Sequence, residues 1–92
     1  MEKVQYIKSD ILKFKILKKL VDKENHTPSE LAIGINTNGT TILRNCKILE
    51  LLELIEIDVK KTTNINYYLK ITIKGFDLFQ KNREEIEKLI KF

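Results

Sequence analysis

Hydrogen-bonding and basic side chains are concentrated near the middle of the chain, in a segment with helical periodicity. They are Thr40, Thr41, Arg44, Asn45 and Lys47. No acidic residue lies between Asn38 and Leu49. Arg can donate two hydrogen bonds to a guanine edge and Asn can form two with adenine, whereas Thr and Lys can contact phosphates or nearby bases. On one face of a helix, these residue types indicate contact with the major groove of double-stranded DNA.

The helix that carries these side chains is predicted to begin near Asn38 or Thr40, either of which can cap it, and to end near Leu52. Asn38 is itself among the expected DNA contacts. An inward stripe repeats at intervals of four and three residues, as in a helix that packs on a core. Its members are Ile42, Cys46 and Leu49. The alternative is that the polar face is only solvated, because many small domains contain two such helices joined by a turn.

A shorter helix precedes this one, and its start is well marked. Thr27 is the expected N-cap, Pro28 occupies the first helical position, and Glu30 follows three residues after the cap, which together form a capping box. Residues 36–39 are Asn-Thr-Asn-Gly, a turn-forming sequence. Ser29 would offer its hydroxyl and backbone N–H to a DNA phosphate. The segment therefore predicts a helix, a tight turn and a second helix.

Elements on both sides must position this pair of helices. A lysine-rich amphipathic helix is predicted from Ser9 to about Asp22. Residues 54–59 and 65–73 alternate and are rich in β-branched and aromatic residues, which predicts a hairpin with a loop over residues 60–64. The loop side chains Lys60, Lys61 and Thr62 suit phosphate or minor-groove contact. Equally, its lysines could only discourage pairing between sheet edges. His26 and Thr27 could form a very short strand.

The C-terminal residues 76–92 read as one amphipathic helix. Apolar or small polar positions repeat at seven-residue spacing along one face. Phe79 and Ile86 are seven residues apart, as are Asn82 and Leu89, and Phe76 and Ile90 flank this stripe. Because the helix extends past the elements that close a small core, we predict that this stripe pairs two chains in a homodimer; packing onto the first helix of the same chain is the alternative. The expected organisation is a domain over residues 1–75 and a dimerisation helix over residues 76–92.

Composition limits the possible classes of protein. Ninety-two residues with 42% hydrophobic and 33% charged residues are typical of one globular domain. The net charge of +4 permits a polyanionic partner. Residues 24–53, however, carry two cations and four glutamates, which favours a protein partner. There is no signal segment and no apolar run approaching about 18 residues, so we expect an intracellular protein that does not span a membrane.

Catalytic and metal-binding patterns are absent from the sequence. The chain has one His and one Cys, too few for a metal site or a disulfide, and it has no glycine-rich phosphate loop. Cys46 is expected to be a small core residue, with a redox-sensing thiol as the weaker alternative. His26 is expected to be a turn residue. We therefore predict neither an enzyme nor a metal, cofactor or small-molecule ligand.

Three short segments resemble a known family. Residues 49–56, LELLELIE, are similar to an L-E-x-L-G-L-I-E segment that closes the recognition helix of winged helix-turn-helix regulators. Residues 68–75, YLKITIKG, resemble the Y-x-L-T-x-K-G segment that leads from the wing to the last helix, and residues 27–31 resemble the start of the second helix. The resemblance covers roughly residues 9–80. It departs from the pattern at Glu53, where glycine is usual, and in a wing one or two residues longer.

The resemblance implies an α+β winged helix-turn-helix fold, closest to small dimeric archaeal proteins of the chromatin type or to related viral regulators. It implies a cytoplasmic homodimer (in the host cytoplasm if viral) that binds double-stranded DNA. The third helix would lie in the major groove and the wing on the adjacent backbone or minor groove. We expect a sequence-specific transcriptional regulator. The alternatives are a non-specific architectural DNA-binding protein and a winged-helix module that binds another protein.

Overall fold

A bundle of helices and one β-hairpin make up the structure, a computed structural model that describes residues 8–90 and the side chains of residues 10–88. Within this part of the chain the sheet has two antiparallel strands. The elements in chain order are α1 (Lys8–Leu20), α2 (Pro28–Ile35), α3 (Gly39–Leu51), β1 (Ile55–Lys61), β2 (Ile65–Ile71), α4 (Ile73–Lys81) and α5 (Arg83–Ile90). The α+β class predicted from the sequence is confirmed. Residues 91 and 92 of the predicted last helix lie outside the described part.

One hydrophobic core joins all of these elements. Each buried Leu or Ile side chain contributes about 1.5–3 kcal/mol relative to an exposed one, so the shared core holds the helices and the hairpin together. α1 lies centrally, in contact with every other helix and with β2. The buried apolar residues are Ile16, Leu17, Leu20, Leu31, Ala32, Ile42, Cys46, Leu49, Leu54, Ile55, Leu69, Ile71, Phe79 and Ile86.

The helix-turn-helix forms as its local signals predict. Thr27 caps α2 by accepting a hydrogen bond from the Glu30 N–H at 3.3 Å, and Pro28 is the first helical residue. Asn36 ends α2 in the left-handed conformation, with φ of 64°. Asn38, not Thr40, caps α3, because its side-chain oxygen accepts from the Thr41 N–H at 2.8 Å.

The hairpin has a shorter loop than predicted. β1 and β2 pair from Ile55 with Ile71 to Lys61 with Ile65, which leaves only residues 62–64 between the strands. Lys60 and Lys61 therefore lie in β1 and not in the loop. His26 pairs with Leu69 through two backbone hydrogen bonds of 2.9 and 2.7 Å, so the predicted short strand is a single bridge beside β2.

A glycine allows α4 to approach the connection between α3 and β1. Gly75 lies in the first turn of α4, where a Cβ atom would collide with the carbonyl group of Leu54. Thr72 caps α4 by accepting from the Gly75 N–H at 3.0 Å. The predicted helix start at residue 76 is therefore three residues late, and Gly75 belongs to the helix and not to the end of the hairpin.

The C-terminal segment forms two helices with a break at Asn82. The Asn82 Nδ2 donates to the Leu78 carbonyl at 2.9 Å, and α5 begins at the next residue. Phe79 and Ile86 are 0% and 3% exposed, and α4 and α5 both contact α1. These two side chains are thus buried within their own chain, the alternative that the sequence left open.

The other residues of the predicted dimer stripe are not shown to be buried within the chain. Asn82 is exposed, and the side chains of Leu89 and Ile90 lie outside the described part. Dimerisation through this helix therefore stays a prediction. Of the helices in residues 8–90, none has the length and apolar character needed to cross a membrane.

Candidate nucleic-acid interface

The outer face of α3 carries exposed polar and basic side chains. Thr40, Arg44 and Lys47 are all exposed, at spacings of four and three residues. At 100° per residue, these positions lie opposite the buried stripe of Ile42 and Leu49. A partner approaching α3 from solvent would therefore meet one hydroxyl and two cations, with Leu51, 83% exposed, at the far end of the helix.

Asn45 does not belong to this face, and its prediction as an exposed base contact is wrong. It is 5% exposed, and its Nδ2 donates to the Thr41 carbonyl at 2.8 Å. The physical reason is its position three residues after Ile42 and four before Leu49, which places it on the buried stripe. The side-chain amide instead bonds to the backbone of its own helix.

A groove joins the start of α2, the start of α3 and the hairpin. Its volume is about 480 Å³. Two predicted site residues, Ser29 and Thr40, line it, and Ser29 is exposed. Sequence reasoning missed the other side chains that line it. They include Leu43 of α3 and Ile65, Asn66 and Tyr67 of β2. The available signal was that Leu43 is apolar but does not fit the stripe of Ile42 and Cys46.

Thr41 lies at the opposite border of the α3 face. It is half-buried and lines a second groove, of about 630 Å³, together with Arg44 and two lysines of α1, Lys13 and Lys15. The neighbouring cap residue Asn38 is exposed, with its side-chain oxygen bonded to the Thr41 N–H. Thr41 therefore lies next to Arg44, but on the side of α3 that faces α1.

The hairpin presents its own cations. Lys60, Lys61 and Thr62 are exposed. The Lys60 ammonium lies 5.3 Å from the centroid of the Tyr68 ring, a cation–π contact that orients the side chain. The Thr62 N–H and hydroxyl both donate to the Asn64 carbonyl, at 3.0 and 3.4 Å, and close the loop. The tip is thus ordered by Thr62, while the two lysines remain open to solvent.

Solved structures with the same architecture were found, whereas no family model and no curated protein matches the sequence. A PadR-like transcription factor from Bacteroides fragilis has a TM-score of 0.72 and 18% identity, over 90% of this chain and 86% of that one. A transcriptional regulator homologue from Pyrococcus horikoshii has a TM-score of 0.71 and 16% identity, over 91% and 88%. The fold is a winged helix.

A third structure, ZitR of Lactococcus lactis in an apo form, has a TM-score of 0.70 and 18% identity over 90% of this chain. The chain spans 62% of the length of that ZitR chain. The predicted winged-helix architecture is confirmed, with β1 and β2 as the wing. The narrower resemblance to archaeal chromatin-type or viral proteins is not confirmed by these structures and stays a prediction.

Acidic side chains gather on one face of the wing. Ile57 packs against the core, so its neighbours Glu56 and Asp58 point to the other face of the strand. Glu50 and Glu53 line the same groove, which holds about 660 Å³, and the Glu50 carboxylate accepts from the Ile57 N–H at 3.2 Å. Of the four glutamates in residues 24–53, Glu50 and Glu53 therefore lie with the acids of the wing, whereas Glu30 lies beside His26.

His26 holds the start of α2 against the end of α1. Its Nε2 lies 2.8 Å from Asp22 and its Nδ1 3.1 Å from Glu30. Since the two ring nitrogens point in different directions, the two carboxylates do not converge on one ion, and no cluster with metal-binding geometry was found in the described residues. The backbone N–H of Glu24 donates to Asp22 at 2.9 Å and, with the His26 contact, lowers the pKa of that carboxyl.

Cys46 is a core residue. It is 0% exposed, and burial raises the pKa of its thiol to about 12. A reactive cysteine needs access to solvent and a thiolate at working pH. The structure therefore favours the packing role over the redox-sensing alternative.

Proposed function

We propose that this chain is a sequence-specific, double-stranded DNA-binding protein that acts as a transcriptional regulator. In this proposal α3 lies in the major groove and the wing contacts the adjacent backbone or minor groove. The observation that carries it is the outer face of α3, where Arg44 and Lys47 are exposed three residues apart. No acidic residue interrupts that face between Asn38 and Leu49.

Each exposed residue has a distinct part in this proposal. Arg44 reads a base edge, because its guanidinium can donate two parallel hydrogen bonds to guanine. Thr40 and Lys47 contact phosphate or a neighbouring base, and Ser29 contacts a phosphate at the start of α2. Lys60 and Lys61 carry the contact of the wing. Asn45 has no part, since it is buried and bonded to Thr41.

We further propose that the chain acts in the cytoplasm as a homodimer through its C-terminal helices. Phe79 and Ile86 are already buried in the single chain, so the contact would use other positions. Leu78 of α4 is 39% exposed and is available for it. Sedimentation equilibrium of the wild type and of Leu78→Asp would test this: a wild type that is monomeric at micromolar concentration contradicts the dimer.

The test of DNA binding is fluorescence anisotropy on labelled duplexes at several salt concentrations. Upstream fragments of the source genome are compared with scrambled duplexes of equal length. A specific regulator binds one fragment at about 150 mM salt while releasing scrambled DNA. Equal binding to all duplexes, lost together as salt rises, would identify an architectural protein.

The acidic face of the wing supports one different function, a module that binds another protein. Glu50, Glu53, Glu56 and Asp58 line one groove together with a single cation, Lys70. This excess of negative charge suits a basic protein segment better than a nucleic acid. In the same titration, failure to bind any duplex at low salt would exclude both DNA-binding proposals and favour this function.

A further inference from the structure

Leu43 is an apolar residue of α3 that takes no part in the core. It is half-buried, yet it belongs neither to the buried core cluster nor to the apolar side chains packed against that cluster in the described residues. It follows the buried Ile42 by one residue, a rotation of about 100° that turns it from the core toward the wing. Its side chain lines the groove between α3 and β2. Core packing therefore does not account for leucine at this position.

The position of Leu43 places it beside the proposed DNA contacts. Thr40 precedes it by three residues and Lys47 follows by four, the two spacings that put side chains next to each other on a helix surface. Both of those neighbours are exposed, and Thr40 lines the same groove. A duplex that contacts Thr40 and Lys47 would therefore also meet Leu43.

We propose that Leu43 is a specificity-determining residue that contacts the 5-methyl group of a thymine in the major groove. This inference rests on the proposed function. A leucine side chain has no hydrogen-bond donor or acceptor, so it distinguishes bases only through an apolar group. The thymine methyl is the one apolar group that an ordinary base pair presents in the major groove. Contact with a deoxyribose would also be apolar, but it would not discriminate between bases.

Uracil provides the probe, because it lacks only the methyl group of thymine and keeps the O4 acceptor. A preferred duplex is first selected from a random-sequence library with the wild-type protein. Each thymine of that duplex is then replaced singly by deoxyuridine, and the dissociation constant is measured by anisotropy. At one position the wild type is expected to bind about fourfold more weakly, the factor that corresponds to losing one buried methyl group.

Variants of the protein assign that effect to a residue. Leu43→Ala should bind the thymine and uracil forms equally, whereas Leu43→Met, which keeps an apolar contact, should retain the difference. Leu52→Ala is the matched control, because it removes the same atoms from an exposed leucine that follows α3 and has no assigned contact, and it should keep the wild-type ratio. Should Leu43→Ala fail to fold, Leu43→Gln replaces it with similar volume and the same expected loss.

Two results would overturn the inference while leaving DNA binding intact. One is a selected duplex in which no thymine methyl matters; the other is an unchanged ratio in the Leu43→Ala protein. An unchanged ratio with a lowered melting temperature would show that Leu43 only packs between α3 and the wing. A selection that recovers no bound duplex would instead exclude the proposed function itself, and this inference with it.

Discussion

The Thr72 hydroxyl donates a hydrogen bond of 2.7 Å to the carbonyl oxygen of Glu53. This bond ties the turn after α3 to the start of α4, and the Thr72 N–H adds a second bond, to the Leu54 carbonyl at 3.1 Å. Glu53 and Leu54 lie between the end of α3 and the start of β1, where the chain turns from the helix into the wing. The two bonds therefore hold the connection between α3 and β1 against the N-cap residue of α4.

Glu53 makes that turn in a conformation that disfavours its side chain. Its φ is 62°, in the left-handed region, where a residue with a Cβ costs about 1–2 kcal/mol. Glu53→Gly should therefore stabilise the fold by about 0.5–1 kcal/mol, after the greater chain entropy of glycine is subtracted. The lost Glu53–Lys74 ion pair, at 3.6 Å, is exposed and contributes little. Urea unfolding measures the change.

Glu56→Gly is the matched control for that prediction. It removes the same side chain from an extended position in β1, where glycine weakens a strand, so it should lower the stability. If both variants lost stability to the same extent, the turn at Glu53 would not be strained.

Gly75 is expected to tolerate no side chain. Gly75→Ala would drive a Cβ into the Leu54 carbonyl group, and either α4 or the turn must move, at a cost of about 1–3 kcal/mol or more. Gly34→Ala provides the comparison, because its Cβ would meet only the flexible end of Lys19 at 3.3 Å. In helix α2 that change should be neutral or stabilising by up to about 1 kcal/mol. Thermal unfolding that ranks the two variants the other way would contradict the close approach of α4.

The hydrogen bonds of the Asp22 carboxylate give the stability a dependence on pH. The folded-state pKa of Asp22 lies below the ordinary 3.8, chiefly because the Glu24 N–H donates to the carboxylate. A carboxyl with a depressed folded pKa stabilises the fold above its unfolded pKa, and this contribution is lost as pH falls from 3.8 through the folded value. Asp22→Asn should therefore be less stable than the wild type at neutral pH, and the difference should disappear in acid. A difference in unfolding midpoint that persists far below pH 3.8 would exclude this assignment.

The local signals were the part of the fold that the sequence predicted well. Thr27 and Asn38 each accept from a backbone N–H three residues later, so the starts of α2 and α3 could be deduced without knowing the rest of the chain, although Thr40 was an equal candidate for the second cap. Phe79 and Ile86 show what a periodic pattern omits. An apolar stripe establishes that a helix face is buried, but the partner of that face depends on the whole arrangement, and here it is the chain's own α1.

In the candidate site, too, some positions were predicted correctly from the sequence and others were not. Arg44 and Lys47 are exposed as their spacing predicts, whereas the polarity of Asn45 suggests the outer face and its helical angle places it on the buried stripe. Leu43 shows the converse, since its apolar type suggests burial in the core whereas its helical angle places it beside Thr40 and Lys47. At both positions the angle around the helix axis was the better guide than the residue type.

Arg44 and Asn45 are neighbours in sequence that should behave oppositely on substitution. Arg44→Ala is expected to weaken binding to a preferred site by about 1–3 kcal/mol and to reduce discrimination there, because it removes a base contact. Asn45→Ala should instead lower the stability by about 1 kcal/mol, since it loses the buried bond to the Thr41 carbonyl, and should leave the sequence preference unchanged. Parallel anisotropy titrations and urea unfolding measure both quantities on each protein.

Lys61→Ala is the third protein of that comparison. A lysine on the wing contacts phosphate and reads no base, so its loss should weaken binding to all duplexes alike and make binding less dependent on salt. The three variants thus separate the effects of base contacts, of folding stability and of attraction to the DNA phosphates. Should Arg44→Ala leave both affinity and preference at wild-type values, α3 would not be the helix that enters the major groove.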